Sequence, residues 1–354
     1  MKTKVLTISL WMLVVGISFL TAQIPPYYSN VDFTQDGNAL KEDLSDLIID
    51  THITLIPYTS GSTDTWDVIY SSDSDPTNSN NVILFYGYDD TDNNTFNDRT
   101  RAIAYQQGNG PCIGYWNREH VFARSLANPN LETDFPGPGT DVHNLRAADC
   151  QMNSYRSNNY FGDGSGNAFL DEDFYPGDEF KGDVARIIMY MYLRYPTQCE
   201  PINIGAGSRS YSDNNDMPNI FLEWNEEDPV SEFERNRNDV IFSFQGNRNP
   251  FIDNPYLATL IWNGPNAEDS WGLLSAPNLG LESVVVHPTI AQDYVYIEGL
   301  EPSKDAIKIY NQLGQTLEFD LEGIKIDVSN FSKGLYFVSI QNTHKSKLFK
   351  FLVY

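Results

Sequence analysis

YWNREHVFARSL, residues 115–126, sets Glu119 directly before His120 and places Arg118 and Arg124 on either side of the pair. A carboxylate and an imidazole among guanidinium groups can hold a metal ion and a phosphate, or can form one polar turn. The metalloprotease patterns fail here on a missing ligand. HExxH needs a second histidine, but Arg124 stands at the fourth position after His120; the inverted HxxEH needs a histidine where Trp116 stands. The next cluster is TDVHNLRAADCQMNSYRSNNYFG, residues 140–162, with His143, Asn144, Arg146, Asn153 and Arg156. From Tyr115 to Gly162 short apolar runs alternate with polar clusters, which predicts short strands, loops and a short helix. Adjacent residues of a regular strand point to opposite faces, so Glu119 and His120 reach one site only if their strand ends or bends there.

Charge is unevenly distributed. The chain has 354 residues and a formal net charge of −25, which disfavours nonspecific attraction to nucleic acid or to an anionic membrane. Between Cys112 and Tyr160, however, four arginines (Arg118, Arg124, Arg146, Arg156) stand against five carboxylates, so this segment carries only −1. A divalent cation bound there would turn it positive, and arginine suits bidentate phosphate contact. Hydrolysis of a phosphodiester needs a base to activate water and a cation at the phosphate. Of the five histidines, His287 and His344 lie near the carboxy terminus and His52 stands alone, which leaves His120 and His143 as candidate bases. A hard ion such as Mg²⁺ takes oxygen ligands and keeps several waters, so Glu119 and the amide oxygen of Asn153 would suffice.

The chain can bury a sizeable core, with 41% hydrophobic and 13% aromatic residues. Its first residues read as a cleaved signal peptide: Lys2 and Lys4, an apolar run from Val5 to Leu20, and a small-residue site at Ala22. No other stretch could cross a membrane. The three cysteines predict one disulfide and one free thiol, and a bridge between Cys112 and Cys150 would brace the Glu119–His120 segment. Helical spacing marks residues 40–49, 182–195 and 230–251; residues 64–97 read as a polar loop interrupted by a strand-like NVILFYGY. Beyond about Leu281, strand-like runs separated by turns predict a small β-sandwich.

YWNREHVFARSL followed by TDVHNLRAADCQMNSYRSN resembles the bacterial endonuclease I family of secreted and periplasmic nucleases, and QGNRNPFIDNP at 245–255 strengthens the match. The likeness spans roughly Leu40 to Tyr256. It implies an α+β fold, mainly helical, around a ββα-metal (His-Me finger) core. It further implies a nonspecific endonuclease of DNA, with RNA as an alternative, that leaves 5′-phosphates. His120 then resembles the general base, and Glu119 and Asn153 the ligands of Mg²⁺, with Ca²⁺ or Mn²⁺ as alternatives. Arg124 is the candidate catalytic arginine, Arg118, Arg146 and Arg156 are candidate substrate contacts, and His143 and Asn144 support the site. Some members carry a longer insertion after the Glu-His pair, bearing the arginine that contacts the cleaved phosphate. Here 22 residues separate His120 from His143, and Arg124 is the one arginine among them, so Arg124 and Arg156 both remain open for that role.

Gln245, Asn247 and Arg248 read as packing that closes the fold rather than as DNA contacts. Residues 281–354 resemble the C-terminal sorting domain of type IX secretion substrates, on VVVHPTIAQDYVYI, IKIYNQLGQTL and the KLFKFLVY end. The expected organisation is a signal peptide at 1–22, a nuclease domain at 23–267, a linker at 268–280 and the sorting domain at 281–354. The chain is expected to be a monomer, exported through the periplasm to the cell surface or medium, with nucleic acid and the type IX machinery as partners. The alternative is a catalytically silent cell-surface binding protein that keeps the fold.

Overall fold

The computed structural model describes residues 24–108, 110–273, 284–298, 307–341 and 346–354. The expected signal peptide and most of the expected linker lie outside the described residues. The chain divides between Gly272 and Leu273 into two compact units.

The first unit runs α1 (Gly37–Thr51), α2 (Thr65–Ser72), β1 (Ser74–Asp75), β2 (Asn78–Ile83), β3 (Thr100–Ala102), β4 (Trp116–His120), β5 (Leu145–Asp149) and α3 (Cys150–Arg156). It continues with β6 (Phe169–Leu170), β7 (Phe174–Tyr175), α4 (Lys181–Arg194), α5 (Asn219–Glu227), α6 (Glu232–Gln245), α7 (Pro250–Asp253) and α8 (Tyr256–Trp262). It mixes helices with small antiparallel sheets and is therefore α+β. Leu40, Leu44 and Ile48 form the buried stripe of α1 at the spacing its sequence predicts. α4 is buried from Gly182 to Met191, all round, as the central helix of the unit. α6 opens with a Ser231/Glu234 capping box and stops at Gly246, whose φ of +89° suits glycine. The chain then enters the loop expected near Gln245.

Two departures have clear causes. The polar stretch after Asp64 contains α2, because Asp64 and Asp67 form a capping box that a polar composition conceals. The strand-like NVILFYGY leaves its ladder after Ile83, and its remaining hydrophobic residues are spent elsewhere. Phe85 bridges in parallel to Ala148, so it flanks β5 on the edge opposite β4. Residues expected in the linker also pack into this unit: Trp271 is buried, with its ring 4.7 Å from that of Tyr28.

An ionic core supports β5. Asp73 accepts from Arg146 Nε at 3.2 Å, from Arg237 Nε at 2.9 Å and from the Ala147 amide at 2.8 Å. Arg146 also donates to Asp183 at 2.7 Å, and Arg186 pairs with Glu234 at 2.7 Å. Burial alone would raise the Asp73 pKa; Arg237 and Arg146 outweigh it and hold the carboxyl below its usual range.

The second unit holds β8 (Val285–His287), β9 (Ile290–Ala291), β10 (Tyr294–Glu298), β11 (Ile307–Asn311), β12 (Thr316–Leu317), β13 (Asp320–Glu322), β14 (Lys325–Asp327), β15 (Gly334–Gln341) and β16 (Ser346–Val353). These form a four-stranded sheet, ordered β13-β14-β10-β8, and a five-stranded sheet, ordered β12-β11-β15-β16-β9. Alternate residues such as Val295 and Ile297, Ile307 and Ile309, and Val338 and Ile340 share one buried core. No helix among the described residues is long and apolar enough to cross a membrane.

Candidate active site

β4 and β5 pair antiparallel, with Glu119 opposite Arg146 and His120 opposite Leu145. β5 passes directly into α3, whose first turn is capped by Asp149 accepting from the amides of Gln151 and Met152 at 2.8 and 2.9 Å. Asn153 follows one turn later. A disulfide joins Cys112 to Cys150, tying the first residue of α3 to the segment before β4, while Cys199 is free and buried.

The strand ends at His120, and a side chain ends it. Asn144 Oδ1 accepts from the Phe122 amide at 2.6 Å, and its Nδ2 donates to the Phe122 carbonyl at 3.2 Å. With the ladder stopped, the adjacent Glu119 and His120 line one cleft of ≈ 440 Å³ together with Asn153, Arg118, Arg124 and Arg156. His143 lies beneath this surface. Its Nε2 is 3.3 Å from the Asn247 carbonyl, and its ring packs on Tyr190.

His120 Nε2 lies 2.8 Å from the Gly139 carbonyl. A carbonyl only accepts, so the ring proton sits on Nε2 and the lone pair on Nδ1. The ring stacks on Tyr58, with centroids 5.6 Å apart. Burial drives the His120 pKa down to about 4; the Gly139 bond opposes this, and Arg124, Arg118 and Arg156 add to it. The imidazole is therefore neutral at neutral pH.

Glu119 is buried, which raises its pKa to about 7 against the opposing pull of Arg156 and the Tyr86 hydroxyl. Both neighbours address one oxygen: Tyr86 donates to Oε1 at 3.1 Å, and Arg156 Nη1 lies 3.5 Å from it. Asn153 Nδ2 donates to Asn117 Oδ1 at 2.8 Å and to the Arg118 carbonyl at 3.4 Å. Glu119 Oε2 and Asn153 Oδ1 accept no hydrogen bond among the described residues. One carboxylate and one amide oxygen in a cleft are a donor set that fits a hard divalent ion otherwise held by water. Among the described residues no group of three or more His, Cys, Asp or Glu is arranged to hold a metal, so a carboxylate cage is not the arrangement here.

The candidate arginines separate. Arg146, expected at the substrate, is instead in the ionic core; it lies on β5 opposite Glu119, and its guanidinium is committed to Asp73 and Asp183. Arg156 reaches the cleft but is fully buried, donating to the Val121 carbonyl at 2.8 Å. Arg118 folds back over the rings of Tyr58 and Trp66, 3.4 and 3.9 Å from their centroids, and donates to Thr65. Arg124 has a side chain 43% exposed at the rim, with Glu132 3.7 Å away. It is the most exposed of the cleft arginines, with its Nε donating to the Leu131 carbonyl at 2.6 Å. Gln245 and Asn247 are wholly buried in a network with Asp141 and Tyr190, as expected of residues that close the fold.

Tyr86, Tyr58 and Gly139 escape sequence reasoning. Gly139 carried a faint signal in the turn-forming PGPG run, whereas the two tyrosines lie 33 and 62 residues before their partners with nothing local to mark them.

Residues 36–256 match the Endonuclease I family model, and residues 285–354 match the secretion system C-terminal sorting domain. The chain is 37% identical over 255 residues to a protein named extracellular ribonuclease from Bacillus subtilis (strain 168), covering 68% of this chain and 80% of that one. It is 38% identical over 256 residues to an extracellular ribonuclease from Bacillus amyloliquefaciens, with the same coverage. With the Glu119–His120–Asn153 cleft inside the matched region and a sorting domain behind it, the chain belongs to the endonuclease I family and is a nuclease that is secreted or held at the cell surface.

Proposed function

We propose that the protein is a divalent-metal-dependent endonuclease that hydrolyses phosphodiester bonds of both DNA and RNA to 5′-phosphate products, on a ββα-metal core formed by β4, β5 and α3. The observation that carries this is the convergence of His120, Glu119 and Asn153 on one cleft, with the His120 proton held on Nε2 and its lone pair free on Nδ1. In this reading Nδ1 takes a proton from the attacking water, and the Gly139 carbonyl keeps the ring oriented as charge develops. Glu119 and Asn153 would hold Mg²⁺, with Ca²⁺ or Mn²⁺ as alternatives; the bound ion supplies charge at the phosphate and the leaving 3′-oxygen. Arg124 steadies the phosphate from the rim. Arg156, sunk behind Glu119, offsets part of its charge and supports the end of β4.

Activity on both nucleic acids is supported by a lining rich in groups suited to phosphate contact, which carries no sequence information directly. The relatives' ribonuclease names bring RNA within reach. The full chain should cut plasmid DNA and structured RNA with Mg²⁺ and stop when EDTA is added. His120→Ala should lower kcat by about 10²–10⁴-fold and leave metal binding in place. Full activity in that variant would remove His120 as the base, and cleavage of RNA alone would restrict the substrate.

A further inference from the structure

Nothing in the motif pattern points to Tyr86, yet it touches Glu119. Its side chain is buried among Phe85 and Phe174, with ring centroids 4.4 and 4.9 Å away, in a setting where a phenylalanine would fill the same space. Its hydroxyl has one partner among the described residues, Glu119 Oε1 at 3.1 Å, and a carboxylate makes the phenol the donor. The backbone at Tyr86 is at φ +72°, a left-handed conformation that disfavours a non-glycine residue. Glycine stands next door, but Gly87 is needed there, since a Cβ on it would collide with the Asp98 carbonyl. On the other side, the Phe85 amide donates to the Ala147 carbonyl at 2.8 Å, which anchors the turn to β5. A strained residue, locked on both sides, thus aims one hydroxyl at one carboxylate oxygen.

We infer that Tyr86 is a positioning residue for Glu119: it holds Oε1 beside Arg156 so that Oε2 alone is presented to the cleft as a single-oxygen ligand. The inference rests on the reading of Glu119 as a metal-binding carboxylate. Without the hydroxyl, Oε1 keeps only the Arg156 guanidinium at 3.5 Å, and the carboxylate is free to turn both oxygens toward it and away from the cleft.

The test is a cycle on the full chain with Tyr86→Phe, Glu119→Gln and the double variant, measuring cleavage against Mg²⁺ concentration. Tyr86→Phe should raise the half-activating Mg²⁺ concentration by about 10–100-fold. Saturating Mg²⁺ should restore most of the lost rate, since the hydroxyl acts through metal occupancy. In the Glu119→Gln background the same change should cause no further loss, since the amide oxygen would stay with Tyr86 and Arg156 and leave Nε2, which binds no metal ion, toward the cleft. Calorimetric Mn²⁺ binding to the folded protein gives the same comparison if Tyr86→Phe lowers thermal stability. An unchanged Mg²⁺ requirement in Tyr86→Phe, with a raised one in Glu119→Gln, overturns the role of Tyr86. Effects that add in the double variant overturn it too, as a general loosening of the site. If Glu119→Gln itself leaves the Mg²⁺ requirement unchanged, the reading of Glu119 falls and takes this inference with it.

Discussion

His120 depends on a neighbour that looks dispensable. A Cβ on Gly139 would collide with the Glu132 carbonyl, so this glycine allows the close approach that places its own carbonyl under His120 Nε2. Gly139→Ala should shift that loop, release the ring and lower kcat by about 10–100-fold with KM little changed. Steady-state cleavage at saturating metal checks it. His143 is a candidate of the other kind, a histidine beside the site that works as packing. Burial lowers its pKa to about 3, against the opposing charge of Asp141. The sign follows from linkage. Unfolded histidine titrates near 6.5, so the stability tied to neutral His143 is full above that pH and is lost as pH falls toward about 3. The loss is about 1.4 kcal/mol per pH unit below 6.5. His143→Gln should flatten the pH dependence of the urea midpoint between pH 6.5 and 4. It should not abolish it, because buried His52 and His120 also have lowered pKa values.

At the scale of elements, β4, β5 and α3 are contiguous enough for sequence to place them. Between Trp116 and Arg156 the chain goes out, returns and caps a helix, and the ligand candidates lie on those pieces. What holds β5 could not be read in the same way. Asp73 joins from just beyond α2, Asp183 from α4 and Arg237 from α6, and each would pass for an ordinary surface charge in its own segment. Asp73→Asn would leave two buried guanidinium groups short of a counter-charge and should destabilise the first unit by about 3–5 kcal/mol. Chemical unfolding of the purified protein measures it. A loss under 1 kcal/mol would mean that this ionic core is not what supports β5.

For the whole molecule, the acid surplus lies away from the cleft, whose lining carries three arginines against two glutamates. Among the described residues the cleft's lining runs from Arg118 to Asn158, within the first unit. Read as an address for the type IX machinery, residues 281–354 should be required for export and not for cleavage. A chain ending at Pro277 should keep its nuclease activity and accumulate in the periplasm. Export unchanged by the truncation would remove that role. Amino-terminal sequencing of the exported protein should begin at Gln23 if the leader is cleaved after Ala22.

The family and the order of β4, β5 and α3 were determined by the sequence alone, which also marked Glu119, His120 and Asn153 as candidates for base and ligands. That was possible because Glu119, His120 and Asn153 sit on adjoining elements whose local patterns bring them together. Which candidate arginine stands exposed at the cleft was decided only by the tertiary structure. Arg146, Arg156, Arg118 and Arg124 are equivalent in composition, and they differ only in what distant segments pack against them: Asp73 and Asp183, the Val121 carbonyl, the Tyr58 and Trp66 rings, or solvent. Tyr86 and Tyr58 belong to the same class, because a contact across a folded core has no local pattern to announce it.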